Sequence, residues 1–139
     1  MGRIGTAVAR KASYGFGMKV LGYRRNLPGD ICADYGILTS DLDKVIRNSD
    51  FLSIHLPYTK DTFHLVSCEK LELMKPDAYL LNLGRGEVVD QAALRELLLS
   101  NRLAGAALDV FEGEILDADD PLLHMDQVIA TPHIAGLSK

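Results

Sequence analysis

The chain has 139 residues, of which 47% are apolar and 24% charged, as is typical of a single soluble globular domain. Fifteen Lys and Arg against nineteen Asp and Glu give a net charge of −4, which argues against a nucleic-acid-binding surface. The chain shows no membrane-length apolar run and no signal-peptide pattern, and its two cysteines are too few for a disulfide framework. We therefore expect a cytoplasmic protein with reduced thiols, without nucleic-acid or membrane partners.

Short apolar runs alternate with helical patterns along the chain, which is typical of βαβ units around a parallel sheet. The patterns predict four helices, with Ser40, Ser67 and Asp90 as N-caps of the last three. The predicted helices cover about 2–14, 41–48, 68–74 and 91–101, and the predicted strands 18–23, 37–38, 51–56, 78–83, 103–110 and 128–131.

A glycine turn opens the first predicted helix. Gly2-Arg3-Ile4-Gly5 matches the last four positions of the dinucleotide-binding fingerprint G-x-G-x-x-G, and a strand ends at Tyr23 about 20 residues later. The unpaired N–H groups of such a helix start can bind a pyrophosphate. The first glycine and the strand that leads into the turn are missing from the chain. We therefore predict an α/β fold with a Rossmann-type doubly wound parallel sheet, truncated at the N-terminus.

Two arginines follow the second strand, where many dinucleotide-binding domains carry an acid that binds the ribose hydroxyls. Arg24 and Arg25 would instead pair with a 2′-phosphate, which a carboxylate would repel. The sequence therefore favours NADP over NAD as the cofactor. The alternative is that both arginines are solvated loop charges.

Three charged residues of different types each follow a predicted buried strand. They are Arg85, Glu114 and His133, and the carboxyl ends of parallel strands meet at one edge of a sheet. An arginine can bind a carboxylate in two parallel hydrogen bonds, a histidine can exchange a proton with an alkoxide, and a glutamate can fix the tautomer of that histidine. Each residue alone also fits an ordinary surface charge, but together they indicate carbonyl reduction.

The chain resembles the D-isomer-specific 2-hydroxyacid dehydrogenases over nearly its whole length. The segments that carry the resemblance are Gly-Arg-Ile-Gly at 2–5, Ser-Asp-Phe-Leu-Ser-Ile-His-Leu-Pro at 49–57, Leu-Met-Lys-Pro at 73–76, Gly-Arg-Gly at 84–86, Leu-Ala-Gly-Ala-Ala-Leu-Asp-Val-Phe at 103–111 and Thr-Pro-His-Ile-Ala-Gly at 131–136.

The resemblance implies hydride transfer between a nicotinamide cofactor and a D-2-hydroxy acid or 2-keto acid, of the glyoxylate/hydroxypyruvate reductase or phosphoglycerate dehydrogenase type. Arg85 would bind the substrate, His133 would be the acid/base and Glu114 its partner. The resemblance implies a homodimer of the full-length protein, and we expect no metal site. The cofactor would be NADP or NAD. The residues predicted to bind it combine those that the resemblance implies with the arginine pair described above: Gly2, Arg3, Ile4, Gly5, Arg24, Arg25, Leu56, Pro57, Leu83, Gly84, Asp109 and Gly136.

The chain also departs from the family pattern. Ile115 stands where the family usually has proline after the glutamate. The family's enzymes have a second, substrate-binding domain, so we expect residues 1–139 to form an incomplete NAD(P)-binding domain in which the strand at 51–56 has a bare apolar edge. Such a chain is expected to be poorly stable and inactive alone. The alternatives are a dinucleotide-sensing module like those of corepressors, or an inactive gene fragment.

Overall fold

The structure, a computed structural model, describes residues 2–23, 37–113 and 116–137. All the predicted helices and strands are present, most of them shorter than predicted. The helices are α1 (Arg3–Arg10, continued by a π-helical turn at Lys11–Gly15), α2 (Leu42–Asn48), α3 (Cys68–Leu71) and α4 (Gln91–Leu99). The strands are β1 (Val20–Gly22), β2 (Ile37–Thr39), β3 (Phe51–Ile54), β4 (Tyr79–Asn82), β5 (Gly105–Leu108) and β6 (Val128–Ala130), and 3-10 turns lie at Gly86–Val88 and Pro121–His124.

The strands form two separate parallel sheets. One sheet pairs β1 with β2, and the other has the order β3-β4-β5-β6. The parallel strands, with α-helices between β2 and β3, β3 and β4, and β4 and β5, confirm the predicted Rossmann-type α/β fold. In the described residues β3 pairs only with β4, so the free edge that we predicted for this strand is present.

The core lies on one face of the four-stranded sheet. Alternate strand residues such as Leu52 and Leu80 are buried there, in one cluster with Ile46 of α2 and Leu98 of α4. Complete burial of one such side chain contributes about 1.5–3 kcal/mol. The opposite face of the sheet is exposed where β3 and β4 begin. There the rings of two exposed residues, Phe51 and Tyr79, stack with their centroids 5.5 Å apart.

The helix caps follow the prediction only in part. Ser67 stands at the N-cap position of α3 as predicted, but its hydroxyl donates to Oε2 of Glu69 at 3.1 Å and no side-chain bond caps the helix. The side chain of Asp90 accepts a hydrogen bond from the Ala93 amide and begins α4, as predicted. The predicted cap Ser40 is wrong for α2, because Asp41 accepts from the Lys44 amide at 2.8 Å and the helix starts one residue later.

The buried side of α1 also differs from the prediction. The apolar pattern of the helix predicted over 2–14 places Ala7, Val8 and Ala12 on its inner side. Ala7 and Val8 are exposed and Ala12 is half-buried, whereas Gly5 and Ala9 are the buried residues of α1. These two small residues are four positions apart and therefore lie on one side of the helix.

No helix within 2–23, 37–113 and 116–137 is long and apolar enough to cross a bilayer. Cys68 is a free, exposed thiol, in agreement with the prediction, whereas Cys32 lies outside the described residues.

Candidate active site

A buried asparagine shapes the turn that carries Arg85. Asn82 ends β4 and is only 2% exposed. Its side-chain oxygen accepts from the Gly84 amide at 3.1 Å, and its Nδ2 donates to the Arg85 carbonyl at 3.0 Å. Because both polar ends of the amide are bonded within the turn, the backbone around Arg85 is held firmly. The Arg85 side chain is left exposed at the end of the strand, with Nη1 donating to the Gly84 carbonyl.

The Arg85 turn is packed against the loop that follows β5. A β-carbon at Gly86 would lie 2.0 Å from the backbone carbon and oxygen of Phe111, so only glycine allows the two backbones to approach this closely. The position of Arg85 is therefore coupled to that of the 111–113 loop, which leads directly to Glu114.

A buried carboxylate after β5 holds the loop that carries His133. Asp109 is 4% exposed. Its Oδ1 accepts from the Thr131 hydroxyl at 2.5 Å and the Ile134 amide at 2.8 Å, and its Oδ2 accepts from the Ala135 amide at 2.9 Å. The loop after β6 is thus wrapped around one carboxylate, with His133 inside the wrapped segment.

These hydrogen bonds also set the protonation state of Asp109. Burial alone raises the pKa of its carboxyl group, but the bonds from Thr131, Ala135 and Ile134 and the nearby charge of His133 together lower the pKa below its ordinary value. The carboxylate is therefore ionised near neutral pH. A carboxylate has about four acceptor positions, so a single further donor could still reach Asp109.

Arg85 and His133 line one cavity of about 610 Å³. His133 is exposed and has a positive φ of 55°, and its amide donates to the Thr131 carbonyl. The remaining walls come from the segments after β4, β5 and β6, including Asp109, Phe111 and Pro132. The cavity therefore combines a guanidinium group and an imidazole at the carboxyl edge of the sheet, as the strand ends predict.

Several predicted cofactor residues lie at a second cavity of about 690 Å³ between β1 and β3, which we call the inter-sheet groove. Gly2, Gly5 and Leu56 line it, and Arg3 and Ile4 follow Gly2 on the exposed first turn of α1. The groove does not include Arg85 or His133.

The other predicted cofactor residues are spread over the ends of the strands. A β-carbon at Gly84 would lie 2.7 Å from the Leu56 carbonyl oxygen, so Gly84 and Leu56 are direct neighbours. Leu83, Pro57 and Gly136 are exposed.

Three predicted site residues lie outside the described residues. They are Glu114 and the two arginines Arg24 and Arg25.

His64 and Glu112 form a contact beside the site that the sequence pattern does not predict. The His64 amide donates to the Glu87 carbonyl beside the Arg85 turn, and its Nε2 lies 2.8 Å from Oε1 of Glu112. The Glu112 amide in turn donates to the side-chain oxygen of Gln91. His64 therefore joins the Arg85 turn to the 111–113 loop. Within the described residues, no group of three or more His, Cys, Asp and Glu could hold a metal ion.

Comparison with protein families gives a match over almost the whole chain. A sequence model described as D-isomer specific 2-hydroxyacid dehydrogenase, NAD binding domain, matches residues 1–135. The chain belongs to this family. The predicted resemblance is therefore confirmed, and with it the class of NAD-binding oxidoreductase domains.

Curated relatives are similar along the full chain but are much longer. The chain is 46% identical over 138 residues to a glyoxylate reductase of Korarchaeum cryptofilum, covering 99% of this chain and 41% of the relative. It is 48% identical over 136 residues to a glyoxylate/hydroxypyruvate reductase B of Pectobacterium carotovorum, covering 98% of this chain and 42% of the relative. The chain thus spans about two fifths of the curated relatives it matches.

Solved structures of the family share the fold. A D-isomer specific 2-hydroxyacid dehydrogenase of Xanthobacter autotrophicus in complex with NADPH has a TM-score of 0.90 and 34% identity, covering 99% of this chain and 57% of that one. A D-mandelate dehydrogenase of Rhodotorula graminis has a TM-score of 0.91 and 36% identity, covering 99% and 40%. A family member from Lactobacillus delbrueckii was solved with NAD, with a TM-score of 0.88 and 33% identity, covering 99% and 44%.

Proposed function

We propose that the chain is the cofactor-binding part of an enzyme that reduces a small 2-keto acid to the D-2-hydroxy acid, of the glyoxylate/hydroxypyruvate reductase type. The observation that carries the proposal is the shared cavity of Arg85 and His133, whose loop is fixed by the buried carboxylate of Asp109. The relatives' names favour this substrate class. They give no support to a corepressor-like module.

The start of α1 fits the pyrophosphate of a dinucleotide. In the described part of the chain, the first amide of this helix to donate is that of Thr6, to the Gly2 carbonyl. The amides of Arg3, Ile4 and Gly5 are therefore available to an anion. Gly2 has no capping side chain, and a β-carbon there would meet no atom within 4 Å, so the approach is open.

Each of the three proposed catalytic side chains has a separate role in the reaction. The Arg85 guanidinium binds the substrate carboxylate in two parallel hydrogen bonds and polarises the neighbouring carbonyl. The His133 imidazole gives a proton to the carbonyl oxygen during reduction. Glu114, which follows Gly113 directly in the sequence, is assigned the role of orienting that imidazole. The bound nicotinamide supplies the hydride.

The first experiment measures cofactor preference. Titration calorimetry of the chain with NADPH and with NADH compares the two dissociation constants. We expect tighter binding of NADPH, and we expect Arg24→Ala to remove the difference, because the guanidinium pairs with the 2′-phosphate. Arg47→Ala, an exposed arginine of α2, is the matched control. Tighter binding of NADH by the unchanged chain would contradict the NADP preference.

The second experiment measures turnover in a chimera. This chain replaces the matching segment of the Korarchaeum cryptofilum glyoxylate reductase, to which it is 46% identical. We expect glyoxylate reduction, and we expect His133→Gln to lower kcat by about 10²–10⁴-fold with an unchanged Kd for NADPH. His124→Gln, on the exposed 3-10 turn, should leave kcat unchanged. Undiminished turnover in the His133 variant would refute the acid/base role.

We also propose that the complete enzyme is a cytoplasmic homodimer and that residues 1–139 form an incomplete NAD(P)-binding domain. Analytical ultracentrifugation of the chimera tests the oligomeric state, and a monomer at micromolar concentration would contradict the proposal.

A further inference from the structure

Glu87 adds a negative side chain to the wall of the cavity that Arg85 and His133 line. It follows Arg85 by two residues, so the Cα atoms of these two residues are at most about 7 Å apart. Glu87 is half-buried. A carboxylate therefore lies beside the guanidinium group to which the proposed function assigns the carboxylate of the substrate.

The backbone of Glu87 is fixed on both sides. The His64 amide donates to the Glu87 carbonyl at 2.8 Å, and the Val88 amide donates to the Arg85 carbonyl at 3.3 Å. The two residues that follow, Val88 and Val89, are buried in the hydrophobic core. The side chain of Glu87 thus starts from a fixed point of the cavity wall, close to the backbone of Arg85.

The Glu87 carboxylate is available to a ligand. It makes no hydrogen bond or ion pair with any residue in the part of the chain that the structure describes. The cavity wall also contains Asp109, but this residue is 4% exposed and its carboxylate already accepts three hydrogen bonds. Glu112, near the site, is paired with His64. Of these three acids, Glu87 is therefore the one whose oxygens are open to a bond from a substrate.

The charges of the cavity wall match a substrate with one carboxylate. Among the described residues that line the cavity there is one arginine, Arg85, and no lysine. In the proposed reaction the guanidinium binds the substrate carboxylate, and the His133 imidazole faces the carbonyl oxygen. A second anionic group on the substrate would meet Glu87 without a further cation beside it. Like charges a few ångströms apart repel more strongly in a protein cavity than in water.

A hydroxyl group on the third carbon of a 2-keto acid suits Glu87. That carbon is bonded to the carbonyl carbon on the side away from the carboxylate, so its substituent reaches past the groups that Arg85 and His133 hold. An O–H group there can donate to the Glu87 carboxylate, and hydrogen bonds to an ionised acceptor are about twice as strong as those between neutral groups. Hydroxypyruvate has this hydroxyl, whereas glyoxylate has no third carbon.

We propose that Glu87 is a specificity-determining residue, which favours 2-keto acids with a hydroxyl group on the third carbon and disfavours those with a second anionic group there. The proposal rests on the proposed function, in which Arg85 binds the substrate carboxylate. It separates two substrate types that the sequence leaves open. Hydroxypyruvate fits the charges of the cavity wall, and a phosphorylated 2-keto acid does not.

The test measures kcat/KM with NADPH for three substrates in the chimera with the Korarchaeum cryptofilum glyoxylate reductase. The substrates are glyoxylate, hydroxypyruvate and 3-phosphohydroxypyruvate, and glyoxylate is the reference because it lacks the third carbon. We expect Glu87→Ala to lower the ratio of hydroxypyruvate to glyoxylate by at least about tenfold, because the acceptor is removed.

The variant Glu87→Gln separates charge from hydrogen bonding. Its amide oxygen still accepts from a hydroxyl, so the ratio of hydroxypyruvate to glyoxylate should fall by a smaller factor of about five. Its charge is gone, so the ratio of 3-phosphohydroxypyruvate to glyoxylate should rise by at least about tenfold. Glu96→Gln, an exposed residue of α4 outside the cavity, is the matched control and should leave both ratios unchanged.

The outcomes distinguish this proposal from the proposed function. A parent chimera that reduces neither glyoxylate nor hydroxypyruvate refutes the proposed function, and the role of Glu87 with it. An active parent refutes only the role of Glu87 if both ratios stay unchanged in Glu87→Ala and Glu87→Gln. The same holds if the two variants lower kcat/KM equally for all three substrates, because Glu87 would then support the fold without reading the substrate.

Discussion

Replacement of Asp109 by asparagine tests whether one carboxylate orders the His133 loop. The carboxylate accepts three hydrogen bonds, from Thr131, Ile134 and Ala135. In Asp109→Asn the remaining oxygen can still accept from two of these donors, but the new NH₂ group faces the Ala135 amide donor to donor. Hydrogen bonds to a charged group contribute about 1.5–3 kcal/mol each, so losing one and weakening two predicts a loss of about 3 kcal/mol in the free energy of unfolding.

The assay is urea unfolding of the chain, with Thr131→Val as the companion variant. That change removes only the hydroxyl donor and should cost about 1.5–2 kcal/mol. The two substitutions share one hydrogen-bond network, so we expect the double variant to lose less than the sum of the single losses.

The effect of Asp109→Asn depends on pH in a defined direction. The pKa of Asp109 is lower in the folded chain than its ordinary value, so the carboxylate stabilises the fold fully above the unfolded value of about 3.9. This contribution is lost as pH falls through the folded pKa. The difference in stability between the parent and Asp109→Asn should therefore narrow at acid pH. A difference below about 0.5 kcal/mol near neutral pH, within the usual range of surface substitutions, would refute the reasoning, as would one that stays constant on acidification.

Two further substitutions test the surroundings of the site by the same unfolding assay. Gly86→Ala forces its β-carbon to within 2.0 Å of the Phe111 backbone and should cost at least about 3 kcal/mol, whereas Gly136→Ala, in open space, should change stability by less than about 0.5 kcal/mol; equal effects would contradict the close approach. Asp90→Ala removes the cap bond to the Ala93 amide and should cost about 1 kcal/mol, with a loss of helix content by circular dichroism; an unchanged spectrum and stability would argue against the cap.

The parts of the fold that the sequence predicts are those set by local patterns of apolar and capping residues. The strand order β3-β4-β5-β6 follows chain order, and Asp90 caps α4 because an acceptor side chain stands directly before an apolar helical pattern. The cap of α2 was ambiguous, since Ser40 and Asp41 are adjacent and both types cap helices. The prediction of the buried side of α1 is wrong because periodicity selects the most apolar side, whereas the residues that are buried are the small Gly5 and Ala9.

The sequence predicts only those features of the site that follow from the positions of the strand ends. Arg85 and His133 share a cavity because parallel strands end at one edge, and their chemical roles stay predictions. The bonds that hold their loops join residues far apart in the sequence, such as Asp109 to Thr131 and His64 to Glu112. Composition and spacing carry no signal for such pairs, since they depend on how the loops pack in three dimensions.

The positive φ of His133 restricts which amino acids can replace it without backbone strain. Asparagine enters this region of conformational space more readily than most residues, and β-branched residues enter it least. The variants His133→Gln and His133→Asn should therefore be measured side by side. Both remove the imidazole, but they differ in how readily their backbone adopts a positive φ, so the comparison separates the effect of side-chain chemistry from that of backbone strain. Among substitutions at this position, asparagine and glycine should therefore cost less stability than valine and isoleucine.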